Sequence, residues 1–290
     1  MANNGNNGLR KLSDALKKAA EEKGAAFQKD QEPLITPPPA PVIPETQQIH
    51  REAPAHEADE RIEKPVVSAG VSKKIVVYYN PNSMIADQFR VIRTHICSSE
   101  KACNVRAFAV TSSNNDEGKT VTAINLSVVM AQDFGKPVLL IDCNMRKPGV
   151  DTLLGLRGAG GLSEVLSGSL QLKDALVNTE IANLTVLPAG QRSINPNELL
   201  ASDKMKAILA EIRSQFEAVI LDTPAVIPYA DPRILGKLVD GVIIVVRAGK
   251  TRREVVTRAE SILKSVGVNI LGYVLTGIEY HIPEYIHRHL

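Results

Sequence analysis

The sequence has little net charge: 34 Lys and Arg against 32 Asp and Glu leave +2. That near-balance gives no ground for nucleic acid or a general membrane surface as a partner. Cysteine is scarce as well. Cys97, Cys103 and Cys143 fit neither paired zinc spacing nor a disulfide framework, which points to a reducing, cytosolic compartment and to packed thiols. No apolar run approaches the ~18 residues that a bilayer span needs. The first residues, MANNGNNG, do not read as a signal peptide, so a soluble chain is expected. A hydrophobic share of 44% over 290 residues still suffices for one large α/β domain or two small ones.

Composition divides the chain. In residues 1–28 the segment GLRKLSDALKKAAEEKG spaces Leu9, Leu12 and Leu16 at three and four residues, the pattern of a short amphipathic helix. Residues 29–72 hold PLITPPPAPVIP and HREAPAHEADERIEK, too rich in proline and charge to build a core, and read as a disordered linker. From residue 73 to 278, β-branched runs alternate with helical patterns. Strands are predicted at 74–79 (KIVVYY), 105–111, 137–142, 184–190, 217–222, 241–247 and 269–277, and helices at about 119–134, 203–215 and 252–266. Strand and helix in alternation predict an α/β fold, a mainly parallel sheet flanked by helices, with its ligand at the carboxyl ends of the strands. Residues 279–290 form a tail.

The stretch TSSNNDEGKT (111–120) follows an apolar strand and opens a helix, the context of a phosphate-binding loop. It is short of glycine: Ser113 stands where G-x-x-x-x-G-K-[ST] has its first. Asn114, Asn115 and Asp116 belong to the types that next best tolerate positive φ, so they could supply the backbone nest. Ser113 to Val121, including Glu117 and Gly118, would then hold phosphates, with Lys119 on the outer ones and Thr120 on magnesium. The Asp116 carboxylate would repel a triphosphate unless it points to solvent or to metal. Asp142 ends VLLID and Asp222 ends VILD, and both carboxylates should emerge at the loop's edge of the sheet, where a magnesium ion needs oxygen ligands.

TSSNNDEGKT, VLLIDCNMRKP (138–148) and VILDTPAV (219–226) together resemble the Walker A, A′ and B motifs of bacterial tyrosine kinases, the P-loop autokinases of capsule and exopolysaccharide synthesis. The likeness spans about residues 75–278. It implies ATP and Mg2+ binding, Lys119, Asp142 and Asp222 as catalytic residues, Thr120, Asp142 and Asp222 around the metal, and autophosphorylation on C-terminal tyrosines. Tyr280 and Tyr285 are the candidate acceptors, Tyr273 being placed within the last strand. It further implies activation by the cytoplasmic part of a membrane chain-length or co-polymerase protein, and hence a cytoplasmic chain recruited to the inner face of the plasma membrane. The family's E-x-x-R-x-x-R oligomerisation motif corresponds to Asp87, Arg90 and Arg93, on one helix face ready to pair with a neighbouring copy in a homo-oligomer.

The sequence departs from the family pattern at Asn115 and Asp116, at Asn144 in place of the second A′ aspartate, and in a tail with few tyrosines. Two other readings therefore stand beside the autokinase: a nucleotide-binding regulatory or scaffold subunit of the same machinery, and a partitioning-type switch ATPase, which usually carries a further lysine early in its loop. His281, His287 and His289 are taken as solvated, and no Ser or Cys nucleophile with a matching base is apparent.

Overall fold

The computed structural model describes residues 70–98, 105–156 and 160–278. The expected helix in 1–28, most of the linker, and the tail with Tyr280 and Tyr285 lie outside the described residues. The remainder forms a sheet of seven strands with helices on both faces. In chain order its elements are α1 (Val76–Tyr79), α2 (Met84–Ser98), β1 (Ala107–Ser112), α3 (Lys119–Phe134), β2 (Val138–Asp142), α4 (Val150–Leu154), α5 (Leu162–Ser167), α6 (Leu172–Ala175), β3 (Val177–Asn178), β4 (Leu184–Leu187), α7 (Pro196–Ala201), α8 (Asp203–Gln215), β5 (Ala218–Asp222), α9 (Asp231–Gly236), β6 (Gly241–Arg247), α10 (Arg253–Lys264) and β7 (Ile270–Thr276). The strands lie in the order β3-β4-β2-β5-β1-β6-β7, and every pairing is parallel except β3 with β4.

The central strands are apolar throughout because both their faces are covered. Period-2 alternation then deals their side chains to two cores. Phe108, Val110, Leu140, Ile220 and Ile243 join α1, α2 and α3 on one side, while Ala109, Leu139, Ile141, Leu221 and Ile244 join α5, α8 and α10 on the other. On α8, Met205, Ile208, Leu209 and Ile212 are buried at helical spacing, and the helix starts where the Ser202 hydroxyl accepts from the Met205 N–H. Burying one such side chain fully is worth about 1.5–3 kcal/mol.

One predicted strand is overturned. KIVVYY is not in the sheet; Val76–Tyr79 is a single helical turn packed on α3. Its alternating β-branched residues bury Ile75 and Val77 against α3. The backbone is held by the buried Asn125 of α3, whose Oδ1 accepts from Val77 N–H at 3.1 Å and whose Nδ2 donates to the Lys74 carbonyl at 3.2 Å. A side-chain amide satisfies here the polar groups that a ladder would have satisfied.

Candidate nucleotide site

The site lies at the carboxyl ends of β1, β2, β5, β6 and β7. β1 delivers the loop: the Ser112 hydroxyl donates to the Asn114 carbonyl at 2.6 Å, and Gly118, at φ +94°, turns the chain into α3. Of the three polar residues expected to stand in for glycine, only Asp116 takes positive φ, at +62°. Its carboxylate turns to the surface, where Lys147 Nζ lies 3.3 Å away, and its carbonyl accepts from Arg247 Nη1 at 3.2 Å. The Asp116–Lys147 pair is exposed on both sides and contributes little to stability. It does keep the carboxylate off the loop's inner face.

Glu117 is buried and turned inward. Its carboxylate accepts from the Asn114 N–H at 3.1 Å and from the Thr251 hydroxyl, and its carbonyl accepts from the Thr276 hydroxyl at 2.7 Å. The loop is thereby fastened to the ends of β6 and β7. Arg247, Thr251 and Thr276 were not picked out from the sequence, where their only signal was Arg247 and Thr251 falling inside the family-like stretch DGVIIVVRAGKTRR.

β2 and β5 are neighbours, and Asp142 stands in register with Asp222. The Thr120 hydroxyl donates to Asp222 Oδ2 at 2.7 Å, whereas Asp222 Oδ1 and the Ser113 hydroxyl are buried with no hydrogen-bond partner. Burial first, and the Asp142 charge second, push the Asp222 carboxyl up to about 8, against the opposing pull of Lys119 and the Thr120 hydrogen bond. Lys119 is buried at the first turn of α3 and pairs with no carboxylate among the described residues. Asp142 is committed to its own loop: Oδ1 accepts from the Asn144 N–H at 2.9 Å, and Oδ2 from the Gly149 and Val150 N–H groups at 3.0 and 3.1 Å. Burial still raises its carboxyl. Asn144 Oδ1 accepts from the Lys147 N–H at 3.3 Å, so the amide caps a turn. Cys143 is buried beside Asp142, Asp222 and Asp231; burial and then those charges hold its thiol well above the ordinary range, as an inert packed cysteine requires.

An orphaned carboxylate oxygen beside a threonine hydroxyl, at a helix start carrying a buried lysine, fits a hard divalent cation that also takes phosphate oxygens. Among the described residues no group of three or more His, Cys, Asp or Glu could hold a metal. Magnesium uses one or two carboxylates and takes waters and phosphates for the rest.

Beside the loop opens a cavity of about 550 Å3, lined by Gly118 to Thr122 together with Lys74, Ile85, Phe89, Arg247 and Gly277. Beyond Asp142, Arg146 ties the second loop down: Nε lies 3.0 Å from Oδ2 of the fully buried Asp231, Nη2 donates to Asn197 Oδ1 at 3.0 Å, and the guanidinium stacks 4.9 Å from the Tyr229 ring centre.

The other expected residues stand apart from this cluster. Asp87, Arg90 and Arg93 share a face of α2, but that face is engaged within the chain. Arg90 Nη1 lies 2.9 Å from Asp87 Oδ1, and Arg93 and Arg90 both reach Asp133 of α3. Tyr273 lies in β7 as expected; partial burial and its bond to Glu260 push its phenol up to about 12. No helix among the described residues is long and apolar enough to cross a membrane.

Residues 106–266 match the family model described as an AAA domain. The chain is 36% identical over 207 residues to the tyrosine-protein kinase YwqD of Bacillus subtilis, covering 71% of this chain and 87% of that one. The crystal structure of the chimerical protein CapA2B2 is similar at a TM-score of 0.68 and 30% identity, over 73% of this chain and 93% of that one. The kinase domain of the Escherichia coli tyrosine kinase ETK matches at 0.68 and 28%, over 72% and 82%. A parallel sheet with a GKT loop and two strand-end aspartates is common to many nucleotide-binding proteins. With these relatives the reading narrows: the chain belongs to the bacterial tyrosine-protein kinase family.

Proposed function

We propose that this protein is an ATP-dependent protein-tyrosine autokinase that modifies Tyr280 and Tyr285 and acts in capsule or exopolysaccharide biosynthesis with the cytoplasmic part of a membrane chain-length or co-polymerase protein. The observation that carries the reading is the partnerless Oδ1 of Asp222 beside the Thr120 hydroxyl, at the start of the helix that bears Lys119.

The loop N–H groups and the α3 N-terminus receive the triphosphate, and Lys119 neutralises its outer phosphates. Asp222 Oδ1 and the Thr120 hydroxyl would hold magnesium, directly or through water. That ion, when bound, would supply neutralisation of the phosphate charge. In the transfer the phenolic oxygen forms a bond to the γ-phosphorus as the bond to the ADP oxygen breaks, and the phenolic proton is given up to water. Asp142 keeps the 143–150 loop in place through three N–H acceptances, so its part is to position the acceptor's surroundings. Catalysis is then mainly electrostatic and positional. In a homo-oligomer, Asp87, Arg90 and Arg93 would exchange their contacts within the chain for contacts with a neighbour. The reading also makes the protein cytoplasmic, drawn to the inner membrane face by its partner.

Asn144 favours a second reading, a nucleotide-binding regulatory subunit, because an amide stands where a second carboxylate would accept a proton. Intact mass separates the two. Dephosphorylated protein incubated with Mg·ATP should gain phosphate on Tyr280 or Tyr285, and Lys119→Ala should not. An unchanged mass in both, with ADP still bound and the activator segment present, removes the autokinase.

A further inference from the structure

A second cavity, of about 390 Å3, opens where α8, α9 and the turn after α10 meet, and it shares no lining residue with the cavity beside the loop. Its floor is apolar, from Ala230, Ile234, Leu238 and Val266, and the last three also pack on the core of that face. Its charged lining is of one sign: Lys206, Arg233 and Lys237, with no acidic residue among the described residues that line it. Spacing produces the division. Ala230, Ile234 and Leu238 recur at four residues and form one row along α9 and the turn that ends it, while Arg233 and Lys237, also four apart, form the row beside it.

The guanidinium of Arg233 is left uncompensated by this arrangement. Its Nε is buried with no hydrogen-bond partner, and no carboxylate pairs with it among the described residues. Shutting a charged donor away from water without an acceptor is costly. Two other arginines that reach α9 and its turn are provided for: Arg213 has Asp240 at 2.8 Å and the Leu238 carbonyl at 3.2 Å, and Arg146 has Asp231. Lys237 has no acidic partner among the described residues either, and Lys206 is held by Asp203 in a pair exposed on both sides, which is easily given up. An anion with an apolar body would offset the charge and cover the floor together. A volume of about 390 Å3 lies near the lower end of the range for small-molecule pockets, which suits one short chain and its head better than a peptide.

We propose that this cavity binds a small amphipathic anion, an alkyl chain ended by a carboxylate or a phosphate. The chain lies on Ile234, Leu238 and Val266, and Arg233 and Lys237 take the head. The site does not depend on the nucleotide-binding reading.

The test follows the Ile234 methyl signal by NMR on the full chain, assigned from Ile234→Val, as octanoate, octyl phosphate, octanol and octylamine are added below their micellar ranges. Octanoate, octyl phosphate or both should shift it saturably, and the preferred head distinguishes a fatty carboxylate from an alkyl phosphate. Acetate and inorganic phosphate, heads without chains, should leave it unmoved. Octanol and octylamine should bind more weakly than the anions by about 10-fold or more, and Arg233→Gln should weaken the anions about 10- to 100-fold, the range of a hydrogen bond to a charged group. That variant should melt at the same temperature or higher, because it removes an unsatisfied buried charge. Lys237 is exposed, so Lys237→Gln keeps the fold and should weaken the same two probes. Four results overturn the proposal: no saturable shift with either anion, equal affinity for octanol, unaltered anion affinity in both variants, or an Ile234 signal that moves with protein concentration and with no probe. The last would mean that a second copy of the chain covers the cavity.

Discussion

Asn125→Ala tests how much of the cavity wall depends on one amide. The side chain is buried and makes three hydrogen bonds: it accepts from Val77 N–H and donates to the carbonyls of Lys74 and Val121. Their losses are unequal. Val121 keeps its helical partner, the N–H four residues on, and Lys74 is exposed enough for water to replace the amide. Val77 is fully buried, so its N–H is left with no acceptor, at about 1–3 kcal/mol. The vacated volume beside Ile75 and Val77 adds up to about 1 kcal/mol. A sum near 2–3 kcal/mol should lower the melting temperature by about 5–10 °C for a domain of this size. Thermal unfolding followed by circular dichroism measures the total, and hydrogen exchange locates it, with protection lost first over residues 75–80. Asn125→Asp separates the roles, since it retains the acceptor for Val77 but sets a carboxylate against two carbonyls. The reasoning fails if Asn125→Ala costs less than about 0.5 kcal/mol, or if exchange rises evenly over α3 while α1 stays protected.

Asp222 makes nucleotide-free stability depend on pH. Its folded value, about 8, is above the unfolded 3.8, so the folded chain keeps a proton that the unfolded chain releases; the resulting cost is absent below about pH 4 and grows until pH 8. Urea unfolding in EDTA should find the protein losing stability between pH 6 and 8, and Asp222→Asn flatter there and more stable at pH 8; a variant with the parent's slope would contradict this. Gly161→Ala should cost about 3 kcal/mol or prevent folding, because a Cβ there would meet the Pro188 carbonyl at 2.2 Å; soluble protein with an unchanged melting temperature would refute it. Asp231→Ala leaves Arg146 without its buried partner and should cost about 2–3 kcal/mol, with faster exchange over residues 143–149 as its local signature. A shift below about 0.5 kcal/mol would mean that Asn197 and Tyr229 suffice to hold the guanidinium.

The central strands were legible because a strand covered on both faces must be apolar, and GVIIVVR maps onto β6 end to end. The start of α3 was legible because GKT sets it. KIVVYY misled because β-branched residues pack as well on a helix as in a ladder, and the deciding group, Asn125, is 48 positions from the N–H it binds. β3, two residues long and antiparallel, is too short to carry a pattern. At the site, Lys119, Thr120, Asp142 and Asp222 followed from motif spacing, and the structure brings them together. The brace of Arg247, Thr251 and Thr276 did not, because polar residues at strand ends look alike until the register of β6 and β7 is known. Glu117 read as a loop residue facing phosphate; only the fold reveals that it faces inward.

The bond from the Thr276 hydroxyl to the Glu117 carbonyl spans 159 positions and joins β7 to the loop after β1. A ribosome adding about 5–20 residues per second needs roughly 8–30 s to travel that distance. For well over half of that time β1 has neither of its lateral neighbours, since β5 and β6 both follow it by more than a hundred residues. A nascent chain therefore carries its phosphate-gripping sequence well before it can complete the grip, which waits for β7. Chains truncated before β7 would keep the Thr251 bond to the Glu117 carboxylate but lose the Thr276 bond to its carbonyl, so the order of the strands makes the last of these fastenings a check that the sheet is complete through β7.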